Sequence, residues 1–382
     1  MIVLGSTGSI GVNALEIAKL FNIEIEALCA GYNIKLLNEQ IKIHNPKMVV
    51  IADKNDKDKI AKEFTGKLYF GIDGVIECIA ISSSNFVLNA FVGTFGLLPT
   101  IETMKHNKIL ALANKESLVI GGAFLDISRI VPVDSEHFSI AYLLNNQLTQ
   151  ERKRFKKLYI TASGGAFRDT PLSEIENKKA IHALKHPNWK MGQKITIDST
   201  TMMNKLFELL EAYWLFGSKN LDAYIERNSH IHALVEFWDG SVVAHFAKAN
   251  MQFPIAYAMA KVLKLSEEEL SSFSHHGFAD SIDLLNVNYK LESIDVNRYK
   301  VWEFKELILD NPKLGVVLNA ANEIATNAFL QDSISFFQIH NIVSSSLNRF
   351  CDVKPNNIEE VLLINDEVES FAKELIKGSS IN

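Results

Sequence analysis

The sequence predicts an α/β chain with three parts: an N-terminal doubly wound parallel sheet, a central α+β domain and a C-terminal helical bundle. Short apolar runs alternate with helical periods through the first third, as in βαβ units. From Lys157 onward the strand-like runs alternate apolar and polar residues, which suits a more open sheet. From about Val301 to the end only helix-length patterns remain.

At 382 residues the chain exceeds one compact core, so several domains are expected. Ile2 to Leu4, Ile25 to Ala30, Met48 to Ala52, Phe86 to Val92 and Ile109 to Ala113 read as buried strands, and Val12 to Phe21 as a helix. Leu158 to Ala162, Ile231 to Trp238 and Ser241 to Phe246 read as strands of the second domain. Leu263 to Lys290 is irregular and polar. Val316 to Phe329, Ile334 to Phe350 and Asn357 to Ile376 read as the helices of the tail. The expected boundaries are 1–133, 134–262, a linker over 263–300, and 301–382.

Composition narrows the function classes. A net charge of −6 provides no field for nucleic acid or an acidic membrane. The basic run Arg152, Lys153, Arg154, Lys156, Lys157 lacks interleaved aromatics beyond Phe155 and reads as a solvated turn. No stretch is apolar for the length of a membrane span. Cys29, Cys78 and Cys351 are far apart without a CxxC pair, which argues against a disulfide framework and against structural zinc. The chain opens on Ile2-Val3-Leu4 without a signal peptide, so a cytoplasmic protein is expected.

Gly5-Ser6-Thr7-Gly8-Ser9-Ile10-Gly11 follows a strand and opens a helix. Glycines there permit a tight turn and close backbone approach to a pyrophosphate, so the turn reads as dinucleotide-binding; an ordinary strand-to-helix turn is the alternative. The GxxGxxG spacing departs from the usual GxGxxG. At the next strand end stands Gly31-Tyr32-Asn33, with no carboxylate to repel a 2′-phosphate, which favours NADP over NAD. Leu112 to Leu118 contains Asn114, Lys115 and Glu116 at another strand end, where ligands of such sheets collect.

Val131 to His137 reads VPVDSEH. Asp134 and Glu136, read as part of an extended segment, project to one side, and two carboxylates there call for a cation. Glu208 is a natural third ligand, and an all-oxygen set selects Mg2+ or Mn2+. An acidic loop with an exposed His137 is the alternative.

Thr161 to Arg168 reads TASGGAFR, whose paired glycines let backbone amides approach an anion; a plain glycine turn is the alternative. His186 to Phe216 reads HPNWKMGQKITIDSTTMMNKLFELLEAYWLF. KITID alternates like a short strand, with Asp198, Ser199 and Thr200 as N-cap candidates for the helix that follows. Met203, Leu206, Phe207, Leu210, Tyr213 and Trp214 form that helix's apolar stripe, and Asn204, Lys205 and Glu208 lie off it. These polar residues make either a solvated face or a phosphate site beside a metal ligand. Trp189 and Met191 fall on a polar loop, where a large aromatic is unusual unless it covers something.

GSTGSIG, LANKESLV, PVDSEH, TASGGAFR, HPNWKMGQKITIDSTTMMNK and LNAANEI occur in this order across essentially the whole chain, which resembles the 1-deoxy-D-xylulose 5-phosphate reductoisomerase family. The resemblance implies a Rossmann-like domain, a catalytic α+β domain with a lid near 186–192, a linker, a helical bundle and a homodimer. It also implies an NADP-dependent oxidoreductase of non-mevalonate isoprene biosynthesis, which isomerises 1-deoxy-D-xylulose 5-phosphate and reduces it with NADPH to 2-C-methyl-D-erythritol 4-phosphate.

By motif, the resemblance implies Asp134, Glu136 and Glu208 as ligands of Mg2+ or Mn2+, with Co2+ a further option. Lys115 and Ser135, with the metal ligands Glu136 and Glu208, would meet the substrate's reacting end. Ser163, His186, Ser199, Asn204 and Lys205 would surround its phosphate. Thr7, Gly8, Ser9, Ile10, Gly31, Asn33, Asn114, Glu116 and Gly192 would line the NADPH site, and Trp189 and Met191 the lid. Tyr32 departs from the family pattern, where a basic residue is common. Two rival functions are an NADP-dependent dehydrogenase without isomerase chemistry, such as one acting on a simple aldehyde, which needs no carboxylate triad, and a dinucleotide or sugar-phosphate sensor without turnover.

Overall fold

The computed structural model describes residues 1–145, 154–189, 191–263, 281–285 and 289–379. Arg152 and Lys153 of the basic run, Lys190 of the expected lid, and much of the expected linker (264–280 and 286–288) lie outside the described residues.

The chain divides into two units, each assembled from separate stretches. The first comprises 1–117, 125–138 and 250–281; the second comprises 118–124, 139–249 and 282–382.

The strands of the first unit are β1 (Ile2–Leu4), β2 (Ala27–Ala30), β3 (Met48–Ile51), β4 (Lys67–Phe70), β5 (Phe86–Asn89), β6 (Ile109–Leu112) and β7 (Ile130–Pro132). They form one parallel sheet in the order β4-β3-β2-β1-β5-β6-β7. The order reverses between β1 and β5, and ligands of open α/β sheets bind at that reversal. Its helices are α1 (Ser9–Leu20), α2 (Ile34–His44), α3 (Gly71–Ile81) and α4 (Leu97–Lys105). Two more, α5 (Lys115–Gly121) and α6 (Ser135–Asn145), begin in it and run on into the second unit.

Strands β1, β2, β3 and β5 are buried along their whole length and, but for Asn89 at the end of β5, apolar, as expected where helices cover both faces of a sheet. Ala14 and Ile17 of α1, Leu37 and Ile41 of α2 and Val3, Leu28 and Val49 of the sheet share one core. Ile255, Ala256 and Met259 complete it from a helix far along the chain.

In the second unit β8 (Phe155–Ala162), β9 (Leu221–Ile225), β10 (Ile231–Phe237) and β11 (Val242–Phe246) form a sheet ordered β11-β10-β8-β9, in which only β8 and β9 run parallel. The helices that follow are α7 (Leu172–Ile175), α8 (Ala180–Ala183), α9 (Gln193–Thr201), α10 (Met203–Phe216), α11 (Gln252–Leu263), α12 (Lys305–Asp310), α13 (Gly315–Leu330), α14 (Phe336–Arg349) and α15 (Ile358–Ser379). Of these, α11 belongs to the first unit, where it packs against α1. The last three pack on one another as the expected bundle. Ser335 caps α14 in a reciprocal capping box with Gln338.

Two local expectations are corrected. KITID is not a strand; it is the body of α9. Its Ile and Thr residues mimic strand alternation, yet the Thr196 and Thr200 hydroxyls donate to the carbonyls of Gly192 and Thr196, 2.8 and 2.9 Å away. Lys194 pairs with Asp198 one turn later at 3.0 Å. Asp198, Ser199 and Thr200 are thus inside a helix rather than capping one, and the break before α10 falls at Met202, in the left-handed region at φ 75°. The PVDSEH segment is not extended beyond β7, because Asp134 starts α6: its carbonyl accepts Phe138 N at 2.8 Å and its carboxylate accepts Glu136 N at 3.2 Å. Among the described residues no helix is long and apolar enough to cross a membrane.

Candidate active site

In the first unit the glycine turn lies at the strand-order reversal. Gly5 takes φ 79°, and a Cβ there would stand 2.7 Å from the carbonyl oxygen of Ala90, just beyond β5. Gly11 has no room either, since its Cβ would lie 2.3 Å from the Gly5 oxygen. The amides of Gly5 and Ser6 both donate to Cys29 O of β2, at 2.8 and 2.9 Å. The turn is therefore tied to both neighbouring strands. Gly8 caps α1 with no side-chain bond, and Gly8 and Ser9 are exposed, so the helix start is open to an anion. Thr7 and Ile10 are half-buried.

At the end of β2, a Cβ on Gly31 would meet nothing within 4 Å, and Asn33 caps α2 by accepting Leu36 N at 3.2 Å. Tyr32 is 83% exposed. At the end of β6 the buried Asn114 amide donates to Phe91 O, Gly93 O and Glu116 Oε2, at 3.1, 2.9 and 3.1 Å. Its oxygen accepts the Ser117 amide at 3.1 Å and the Ser117 hydroxyl. Asn114 thereby fixes the loop after β5 and aims the start of α5. Lys115 Nζ meets Asp134 Oδ2 at 2.8 Å, both largely buried. Asp134 Oδ1 lies 3.0 Å from His137 Nδ1, and Ser135 Oγ donates to Glu136 Oε2 at 2.6 Å. His137 is fully buried, so the alternative of an acidic loop with an exposed histidine fails.

In the second unit three expected residues converge. His186 Nε2 lies 2.9 Å from Ser163 Oγ and 3.1 Å from Ser199 Oγ. Its Nδ1 accepts the amides of Asn188 and Trp189, at 3.2 and 2.9 Å. Two donors on Nδ1 place the ring proton on Nε2, between the two hydroxyls. With an N–H directed at their lone pairs, both hydroxyls retain their own protons for an anion. Burial, with the Arg168 and Lys205 charges nearby, pushes the His186 pKa down to about 4. This surplus of positive field and donors is what a phosphate monoester needs.

The polar residues of α10 are not a solvated face. Lys205 is 6% exposed and Glu208 1% exposed. Asn204 and Lys205 each donate to one oxygen of Glu208, which balances the buried carboxylate. Gly192 caps α9 and is exposed, with open space where a Cβ would be. The Trp189 ring centroid lies 6.4 Å from that of His232, and Met191 is half-buried.

A histidine pair beside Trp189 has no counterpart among the sequence motifs. His245 Nδ1 lies 2.8 Å from Ser139 Oγ, and its ring lies 6.2 Å from that of His232. Both histidines sit singly on strands, and no spacing in the sequence marks them. Burial and His232 push the His245 pKa down to about 4.

These shifts carry a sign. Between the ordinary value of 6.5 and about 4, the unfolded chain binds protons that the folded His186 and His245 refuse. The unliganded protein is therefore expected to melt at progressively lower temperature as the pH falls through that window. His186→Gln should flatten the dependence; melting curves from pH 7 to 4 with an unchanged slope in that variant would contradict the assignment.

A switch-point glycine turn joined in one chain to a donor-rich anion pocket defines a nucleotide-dependent enzyme of a phosphorylated small molecule. Three family models match the chain: 1-deoxy-D-xylulose 5-phosphate reductoisomerase over residues 1–122, its C-terminal domain over 130–216, and the DXP reductoisomerase C-terminal domain over 246–371. The chain belongs to the 1-deoxy-D-xylulose 5-phosphate reductoisomerase family. The protein of that name from Wolinella succinogenes is 49% identical over 381 residues, covering 98% of this chain and 100% of the relative. That from Helicobacter pylori strain J99 is 51% identical, covering 96% and 97%. Among solved structures, the Zymomonas mobilis enzyme in complex with NADPH aligns at TM-score 0.84 and 33% identity, covering 98% of each chain. A DOX-P reductoisomerase in complex with NADPH, fosmidomycin and magnesium aligns at 0.88 and 30%, also covering 98% of each.

Proposed function

We propose that this chain isomerises 1-deoxy-D-xylulose 5-phosphate and reduces the product with NADPH to 2-C-methyl-D-erythritol 4-phosphate, using Mg2+ or Mn2+, as a step of non-mevalonate isoprenoid biosynthesis. The observation that carries the reading is the His186 pocket: a neutral imidazole between two hydroxyls, under the field of Lys205 and Arg168, in a chain of this family. The test is direct. NADPH absorbance should fall when the protein receives 1-deoxy-D-xylulose 5-phosphate with Mg2+, and no fall would sink the proposal.

The donor chemistry fits the metal. Asp134, Glu136 and Glu208 offer carboxylate oxygens alone, which suit a hard divalent cation. When bound, the metal supplies polarisation of the substrate's carbonyl and hydroxyl oxygens, and NADPH supplies the hydride. Lys115, held by Asp134, orients the reacting end together with Ser135. Ser163, Ser199, His186, Asn204 and Lys205 hold the phosphate, whose binding energy fixes the substrate's position. Thr7, Gly8, Ser9, Ile10, Gly31, Asn33, Asn114, Glu116 and Gly192 receive the dinucleotide. Trp189 and Met191 cover the bound substrate and exclude water.

NADPH is expected to outperform NADH in kcat/KM, because no acid stands at Gly31-Tyr32-Asn33 to repel a 2′-phosphate. Tyr32 supplies no cation, so Tyr32→Lys should widen the preference. Equal constants for the two cofactors in the unaltered protein would refute the argument.

A homodimer is part of the same reading. β11 is an edge strand; its first residue, Val242, and Trp238 in the turn before it are 54% and 69% exposed, which suits a self-complementary interface. Sedimentation would decide between one copy and two. The thiols of Cys29, Cys78 and Cys351 are unpaired, in keeping with a reducing cytoplasm.

A further inference from the structure

We infer that Asn322, in the middle of the bundle helix α13, is a positioning residue for the phosphate pocket and acts through Asp198 on Ser199. The inference rests on the reading of Ser163, His186 and Ser199 as that pocket.

Asp198 is a carboxylate only 2% exposed, and such a group must be paired. Both of its oxygens are. Oδ1 accepts the Asn322 amide at 2.8 Å, and Oδ2 meets Lys194 Nζ at 3.0 Å. Thr326, one turn beyond Asn322, has its hydroxyl 3.3 Å from Asn322 Oδ1 and 3.4 Å from Asp198 Oδ1. Asn322 and Thr326 are themselves fully buried. A hydroxyl donating to Asn322 Oδ1 orients the amide so that its N–H points at Asp198.

Consecutive helical side chains diverge by about 100°, so one residue of α9 can hold the bundle while the next serves the pocket. Asp198 does the first and Ser199 the second, 3.1 Å from His186. On a further side Gly165 leaves no slack: a Cβ there would lie 2.6 Å from Thr200 Cα. With α9 confined between the glycine turn and α13, the Asp198–Asn322 bond sets its rotation and depth. The serine hydroxyl inherits that setting. The LNAANEI motif thus acquires a role in substrate binding, although no residue of it belongs to the pocket.

Asn322→Leu keeps the branched side-chain shape at greater bulk and removes the donor. It should raise KM for 1-deoxy-D-xylulose 5-phosphate, and the inhibition constant of inorganic phosphate, by roughly tenfold, the scale of one charge-assisted bond. The effect on kcat should be much smaller, and Asn322→Asp should not restore binding, since a second carboxylate would face Asp198. The decisive comparison is with Ser199→Ala. If Asn322 acts through Ser199, the double variant binds no worse than Ser199→Ala alone. Independent, multiplying losses in KM would overturn the inference, as would an unchanged KM in a folded Asn322→Leu. If that variant does not fold, Thr326→Val replaces it in the same cycle. A raised KM in Thr326→Val alone, with no loss beyond that of Ser199→Ala in the double variant, then supports the inference; an unchanged KM or multiplying losses overturn it. A Ser199→Ala enzyme with unaltered KM and phosphate inhibition would instead remove the pocket reading itself.

Discussion

Asp134→Asn is expected to lower kcat by more than about a hundredfold, beyond what changes behind a metal's own ligands cost. The substitution preserves shape and removes one negative charge. Asp134 pairs with Lys115 at 2.8 Å and faces His137 at 3.0 Å, so the charge also holds a proposed substrate contact in place. Two losses therefore coincide: a charged oxygen ligand, and the tether on Lys115. Titrating Mn2+ into the variant separates them. A weakened metal affinity with activity partly regained at high Mn2+ identifies the ligand role. Undiminished turnover of the unaltered protein in excess chelator would end the metal proposal.

Lys205→Ala should produce the second large effect, in two measurements at once. Loss of a buried cation facing the substrate phosphate is expected to raise KM by an amount worth roughly 2 to 5 kcal/mol. The same change strands Glu208, which is 1% exposed and takes a bond from the Lys205 ammonium. Removing one partner of a buried ion pair costs about 3–5 kcal/mol of stability. If Glu208 is a metal ligand, added Mg2+ should restore much of the melting temperature without restoring KM. Unchanged KM would make this face of α10 structural only.

The first sheet was legible because its inner strands carry apolar runs, such as Met48 to Ile51 and Phe86 to Leu88, punctuated by turns. β4 escaped notice as an edge strand of four residues, all exposed or half-buried, whose apolar run Leu68 to Phe70 is only three residues long. β7 is three residues ending in proline, too short for any period to register. α9 was misread because β-branched Ile and Thr weigh toward a strand, while the backward hydroxyl bonds and the Lys194–Asp198 pair that stabilise the helix depend on a four-residue spacing. The pocket residues were legible as motifs. Which atoms of His186 donate, and that Asp198 is bonded to α13 across 124 positions of sequence, depend on folding and leave no local pattern.

The placement of α11 bears on how the molecule is made. Its residues Ile255, Ala256, Ala258 and Met259 close the core begun by β1 and α1, yet a ribosome delivers them only after the whole of 139–249. Until then the nascent first unit carries the apolar side of α1 uncovered. All four strands of the second sheet are synthesised before α11. The two units are nested in the order of synthesis rather than strung end to end. Release of a chain stopped at Phe138 would therefore yield an incomplete sheet domain with a wet core face, a substrate for holding chaperones and proteases rather than a smaller working part.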